Sequence, residues 1–497
     1  MSSILLISIL WLYIGAVAIY PIGRYLRNKT GYLSAFIIGV ATLLYLSIAN
    51  DISSPYVEEY HWVLIPQVLK ISFALVADYV NYIIGLTILI VTFFAAIYSV
   101  TYMEHEHALD AYFFLYTVYS AGMLGAVLSM DLIQFLFFWE AMLVPSYILI
   151  GVWGYGDRRR VAYKYFIYTQ LGTILLIISF AILGLYSNGN FDISAIYLIA
   201  HKIPSNIRLL LAGLMIAGFG VKMAIVPLHG WLPEAHAEAP TPISVILSGV
   251  MIEVGLYALI RITLPLTFPT WHSSDMMTLL TILALISMFY GGMMALVQDD
   301  VKRLLAYSSI SQMGYMFLGV AAANPISIEG SILHVFSHGL LKGLLFMVAG
   351  VLIHQIGIRD MRKLGGLAVK MPITASLAVI GAMGIAGLPG ISSFISEFLI
   401  FTGVFNSSIY NKILILFMAV LATGLTAAYM TLFIKRVFFG PLPKELENAR
   451  DPDMNMIIPM TLMAVIAIVV GVYPSIILDY IAPGMEPFFK FIREVWG

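Results

Sequence analysis

The sequence predicts an all-α integral membrane protein of about 14 transmembrane helices. Three observations predict it. The 497-residue chain is 61% hydrophobic and 11% charged, with mean hydropathy +0.95; a soluble domain carries about 25% charged residues. Apolar runs near the roughly 20 residues that cross a bilayer recur from end to end. Several runs carry ionisable residues beside proline or glycine breaks, although a charge at bilayer depth costs roughly 2.5–3.5 kcal/mol on insertion scales. The net charge of −1 argues against a nucleic-acid partner. The chain has no cysteine, which excludes disulfides, cysteine-ligated iron–sulfur clusters and thiolate zinc sites within it.

The expected spans fall near 3–22, 31–49, 78–102, 111–130, 132–153, 162–186, 207–227, 242–264, 276–297, 303–322, 329–353, 372–403, 411–438 and 456–481. The first is read as a span because Ile4 to Tyr20 is too long for a signal-peptide core and lacks a cleavage pattern. No soluble region is large enough to hold a cofactor, so neither a redox nor a hydrolytic centre is expected here. Basic residues cluster after odd-numbered spans: Arg24, Arg27 and Lys29; Arg158, Arg159, Arg160 and Lys164; Lys302 and Arg303; Arg359, Arg362, Lys363 and Lys370; Lys435, Arg436 and Lys444. The positive-inside rule places those loops in the cytoplasm and both termini outside a cell membrane. Arg158–Arg160 is an orientation signal or a docking patch for a partner.

The seventh and eighth spans carry the densest chemistry, VKMAIVPLHGWLPEAHAEAPTPISVILSGVMIE from Val221 to Glu253. Lys222 lies in an apolar run five residues before Pro227. The twelfth span repeats the arrangement, with a break at Gly387–Gly390 and an acid at Glu397. Broken helices at matching positions in two halves point to a transport site. Glu140, mid-span in FLFFWEAMLVPSYILI, reads as a proton-binding acid or as an interfacial carboxylate. Lys222 is its natural counter-charge, as a pump element or as one side of a structural ion pair. His334, His338 and Lys342 recur at i, i+4 and i+8, hence on one helix face; they form a buried proton relay or helix-packing hydrogen bonds. Glu253 lies in the path or snorkels. Glu397 is a carboxylate where ions enter or leave, or a packing acid. His229, Glu234, His236 and Glu238 invite a metal test, but their spacing matches no helical zinc motif, and Pro227, Pro233, Pro240 and Pro242 make the segment a rigid connector. No metal is expected.

Five longer motifs carry a resemblance: FFWEAMLVPSYILIGVWG (Phe137 to Gly154), KYFIYTQLG (Lys164 to Gly172), PLHGWLPEAHAEAPTPIS (Pro227 to Ser244), DDVKRLLAYSSISQMGYM (Asp299 to Met316) and HGLLKGLLFMVAG (His338 to Gly350). They resemble the antiporter-like membrane subunits of respiratory complex I, the subunit M and chain 4 branch above all. The homologous membrane subunits of multisubunit sodium/proton antiporters and of hydrogenase-type complexes are similar too. The resemblance implies two inverted five-helix repeats and broken seventh and twelfth helices. Residues 1–110 would hold helices 1–3, 111–264 the first repeat, 265–440 the second, and 441–497 helix 14 and a tail. Glu140, Lys222, His338, Lys342 and Glu397 match the family's ionisable positions. Glu253 departs, standing where the family commonly has lysine.

The resemblance implies an ion-translocating subunit of a redox-driven complex, with hydrophobic membrane subunits and peripheral redox subunits as partners. Protons are the expected ion, with sodium the alternative. They would enter through the broken seventh helix, cross by Lys222 and Lys342, and leave near Glu397. A sodium/proton antiporter component without redox chemistry is the other reading.

Overall fold

The computed structural model describes residues 3–52, 54–65 and 69–496. Among them, eleven helical stretches are long and apolar enough to cross a membrane, not fourteen. The difference has physical causes. The stretch Ile4–Leu46 contains two helices, Ile4–Leu26 and Thr30–Leu46, joined by a tight turn at Arg27–Lys29. Helix Val301–Ala322 carries Lys302, Arg303, three serines and Gln312 and is too polar to qualify. The twelfth expected span is split into Pro372–Ile385 and Ser392–Asn406.

Burial sorts the helices. Thr241–Leu266 is enclosed along its whole apolar window, and Pro325–Ile356 and Tyr82–Tyr102 nearly so, whereas only a third of the window in Lys412–Phe438 is covered. The central helices are therefore those that carry Glu253 and the His334–Lys342 face. Exposed isoleucines and leucines on the outer helices, such as Ile14, Leu185 and Ile413, suit a lipid solvent.

The third span begins at Tyr82, not near 78, because the preceding residues form an antiparallel hairpin of β1 (Tyr56–Ile65) and β2 (Leu69–Ala77). Its aromatic and β-branched content favours strands. Glu58 of β1 accepts the Leu5 and Leu6 backbone N–H groups at 2.9 and 3.0 Å, satisfying orphan donors at the start of the first helix. Asp131 caps helix Leu132–Trp153 through Ile133 N and Gln134 N and accepts from Ser72 N of β2 at 3.1 Å. Burial raises the Asp131 carboxyl to about 6, against the pull of those N–H donors.

A two-bond clasp occurs twice. Leu132 N donates to Phe191 O and Ile193 N to Met130 O, pairing Asp131 with Asp192. Val301 N donates to Arg359 O and Met361 N to Asp299 O, pairing Asp300 with Asp360. All four aspartates also accept backbone N–H bonds at helix or turn starts. Hydrogen bonds to Arg362 hold Asp360 down at about 2. The first clasp adjoins the hairpin, and the second adjoins the Arg359, Arg362 and Arg436 cluster.

Three helices are interrupted. Ser205–Met223 ends at Ala224 in a left-handed conformation (φ 54°), before Pro227, and helix resumes at Leu232–Glu238. The Trp231 indole N–H donates to Val221 O at 2.8 Å, and Val226 N to Ser287 Oγ at 3.0 Å, so freed backbone groups at the break are paired. In the twelfth span the break passes through Gly387 (φ 74°) and Gly390 (φ 92°). The eighth helix, read as regular from sequence, contains wider π-helical turns at Leu247–Met251 and Leu259–Thr263. They flank Glu253, and such turns are frequent at functional sites.

Candidate ion-translocation site

Lys222 occupies the last turn before the seventh-helix break and is 1% exposed. Its ammonium has no hydrogen-bond partner and stands 5.0 Å from the centre of the Trp139 ring. A cation over a desolvated indole face is attracted by the ring quadrupole. Glu140, the next residue along that neighbouring helix, accepts from Gln170 Nε2 at 2.7 Å, while its other oxygen is buried and unpaired. No ion pair joins Glu140 to Lys222 among the described residues. The lysine thus faces the aromatic neighbour of the acid.

Glu253 and His338 meet at the centre. His338 Nδ1 lies 2.6 Å from Glu253 Oε1, and both side chains are fully buried. Glu253 Oε2 and His338 Nε2 are unpaired. One turn before, His334 has both ring nitrogens within 2.8 Å of a partner, Ser396 Oγ and Gln312 Oε1. One turn after, Lys342 donates to Leu305 O at 3.1 Å and to Ser308 Oγ. The i, i+4, i+8 spacing therefore gathers three ionisable groups on one buried face. Glu397 is 4% exposed, accepts from Thr423 Oγ1 at 3.5 Å, and has a free Oε1. Tyr315 lies 3.2 Å from the same threonine and stacks on His334, which joins Glu397 to the histidines.

Several buried neighbours stand outside the seven expected site residues. Lys302, read as a loop charge, is fully buried and donates to Ala239 O at 2.5 Å. His236 is buried with neither ring nitrogen paired, stacked on Phe346 at 5.0 Å. Gln170, Gln312, Ser308 and Ser396 orient the charged groups. Only a serine- and glutamine-rich helix, SSISQ at Ser308–Gln312, hinted at them. The polar turn does not converge. His229 packs on Tyr290, Glu234 pairs with Lys164 at 2.8 Å, and Glu238 faces Arg359 at 3.7 Å. No group of three or more metal-ligating side chains occurs among the described residues.

A polytopic bundle with discontinuous helices and buried acids, lysines and histidines along its central helices has the features of an antiporter-like membrane subunit. The comparisons narrow the class. The family model described as NADH:quinone oxidoreductase/Mrp antiporter, TM, matches residues 129–425, and that of the complex I chain 5 N-terminus matches residues 62–113. NADH-quinone oxidoreductase subunit M of Rickettsia conorii is 32% identical, the match covering 91% of this chain and 90% of that one. F(420)H(2) dehydrogenase subunit M of Methanosarcina mazei is 33% identical, covering 92% and 94%. In the solved respiratory complex I from Thermus thermophilus, a similar chain superposes with a TM-score of 0.86 at 24% identity, covering 99% of this chain and all of that one. The chain belongs to the NADH:quinone oxidoreductase/Mrp antiporter membrane-subunit family.

Proposed function

We propose that this chain is the proton-translocating membrane subunit of a multisubunit, redox-driven respiratory complex. The observation that carries this reading is the enclosed line of titratable groups. Six of the seven expected site residues are buried, and they come from four interrupted or central helices. Charges at such depth are retained where they serve a path. Protons would enter from the cytoplasmic face near the seventh-helix break, where Glu140 and Lys222 form the first station. Glu253 and His338 pass them between the first repeat, 111–264, and the second, 265–440. Lys342, His334 and Glu397 carry them to the outer face, on which both termini lie. The two clasps support the inverted repeat: each joins the start of a repeat's second helix to the end of its third, with identical bonding.

Energy comes from partner subunits, because the residues of this site hold protons and not electrons. The named relatives are subunits of NADH-quinone oxidoreductase and F(420)H(2) dehydrogenase, which supports redox partners. The test is the purified complex in sealed vesicles, with lumenal acidification followed during turnover. Lys222→Ala should insert and assemble yet lose most coupled pumping; full pumping in that variant removes Lys222 from the path. The family description also spans Mrp antiporters, which supports a sodium/proton antiporter as the second reading. Mass spectrometry of subunits co-purifying in mild detergent separates the two: redox subunits support the first, hydrophobic partners alone the second.

A further inference from the structure

On the membrane side of the molecule, helices Ser205–Met223 and Ser274–Leu296 leave a slot between them. It encloses a cavity of about 250 Å³ with Leu259 and Phe317 among its lining residues. Ile216, Ala217, Leu280 and Leu283 form its aliphatic walls, and its inner end is the Ile225–Leu228 turn that breaks the seventh helix. Through shared Met276 and Leu279 it continues into a second recess, whose edge adds polar side chains to an apolar lining. Ser205, Asn206, Thr270, Ser273 and Asp275 edge that recess. Along the first helix, Asn206, Leu209, Gly213, Ile216 and Gly220 recur every three or four residues, so they form one stripe. Ser205 to Gly220 spans about 22 Å at 1.5 Å per residue, against about 15 Å for the hydrocarbon of one leaflet. Leu209 and Leu279 on the rim are 54% and 51% exposed, so the slot opens sideways into the bilayer.

We propose that this groove binds one hydrocarbon tail of a bilayer phospholipid, with its amine-bearing headgroup beside Asp275 at the edge of the second recess. The two-part lining fixes the chemistry of the occupant: an aliphatic slot continuous with a cluster of hydroxyls, an amide and a carboxylate fits an amphiphile. Asp275 is the one charged residue lining the recess, so it complements an ammonium and opposes a purely anionic head. A slot of this volume takes a single chain, whereas a partner helix is about 10 Å across. Gly213 is the feature that keeps the slot open: a Cβ built there meets nothing within 4 Å. The tail tip rests against Val226 and Pro227, four and five residues beyond Lys222, and braces the helix break from the lipid side.

The test uses the complex in its native membrane, with Leu279→benzoylphenylalanine as a photo-crosslinker. Irradiation is expected to add one phospholipid mass to this chain, with amine-bearing heads enriched over the bulk lipid. Adding Gly213→Leu should cut that adduct by about fivefold or more, equivalent to about 1 kcal/mol of binding, with the complex still assembled because the new side chain grows into open space. An adduct with the mass of another subunit overturns the proposal and makes the groove a protein contact. It is equally overturned by no adduct, by a lipid adduct insensitive to Gly213→Leu, or by heads captured in bulk proportion.

Discussion

Glu253 uses one carboxylate oxygen on His338 and leaves the other free in a fully buried site. A carboxylate in that setting either binds a proton or is held by a neighbouring positive charge. Glu253→Gln keeps the shape and an acceptor for His338 but removes the charge. Coupled pumping is therefore expected to fall tenfold or more, about 1.4 kcal/mol in the rate-limiting barrier, with normal insertion. Unchanged protons per turnover would take Glu253 out of the path. Asp131 gives a second test, in stability. Its folded carboxyl is raised from 3.8 to about 6 by burial. Its contribution is then complete below about pH 4 and is lost as pH rises through about 6, by at most about 3 kcal/mol. Asp131→Asn keeps the helix cap, so thermal unfolding of this variant in detergent should lack that slope; an identical pH profile in both proteins disproves the assignment. The charged members of the site were legible because an acid, lysine or histidine stands out in an apolar run. Lys302 was misread because Arg303 beside it made both look like loop charges. His236 stands among the metal candidates of the polar turn, where residue type alone does not mark it as the buried one. Hydroxyl and amide partners such as Ser396 and Gln312 carry no periodic signal; only the fold brings them to His334.

At the scale of elements, the interruptions position the chemistry. The Gly387 break was visible as glycine and proline within an apolar run. The seventh-helix break was visible too, but it begins at Ala224, where nothing in the residue type announces a left-handed turn. The π-helical turns around Glu253 were not visible either, since they change hydrogen-bond register without changing apolar pattern. The hairpin leaves little signal in the sequence because β1 and β2 are short beside the long apolar runs that dominate it. Gly387 tests the value of a break. Its φ of 74° costs a side-chain-bearing residue about 1–2 kcal/mol. A Cβ there would also approach Glu397 Oε2 to 3.0 Å. Gly387→Val should lower the thermal midpoint and also impair pumping by displacing Glu397. A stability loss with wild-type pumping would show that the carboxylate tolerates displacement.

At the scale of the molecule, distant parts of the chain converge on the end of the eighth helix. Arg261 pairs with Asp78 at 2.6 Å, with little exposure on either side, and its carbonyl accepts from the Tyr197 hydroxyl. Helix Ala482–Trp496 lies over the same end, where Trp496 Nε1 donates to Pro265 O at 2.9 Å and Arg208 stacks on the indole. Removing one partner of a buried pair costs roughly 3–5 kcal/mol, because the other charge is stranded. Arg261→Met should therefore destabilise the chain strongly, and Asp78→Leu in the same chain should restore much of the loss. A double variant no more stable than the single one would mean that Arg261 acts through its other contacts. The membrane class was legible at this scale because lipid imposes long apolar runs, and the broken helices because proline and glycine stand out within those runs. The closing contacts were not, since they join segments far apart in sequence. The bond between Trp496 and Pro265 bridges 231 residues. At about 5–20 residues per second of synthesis, its two ends are made roughly 10–50 s apart. Throughout that interval the central helix that carries Glu253 sits with its far end unfastened, and that end closes only when the last helix arrives.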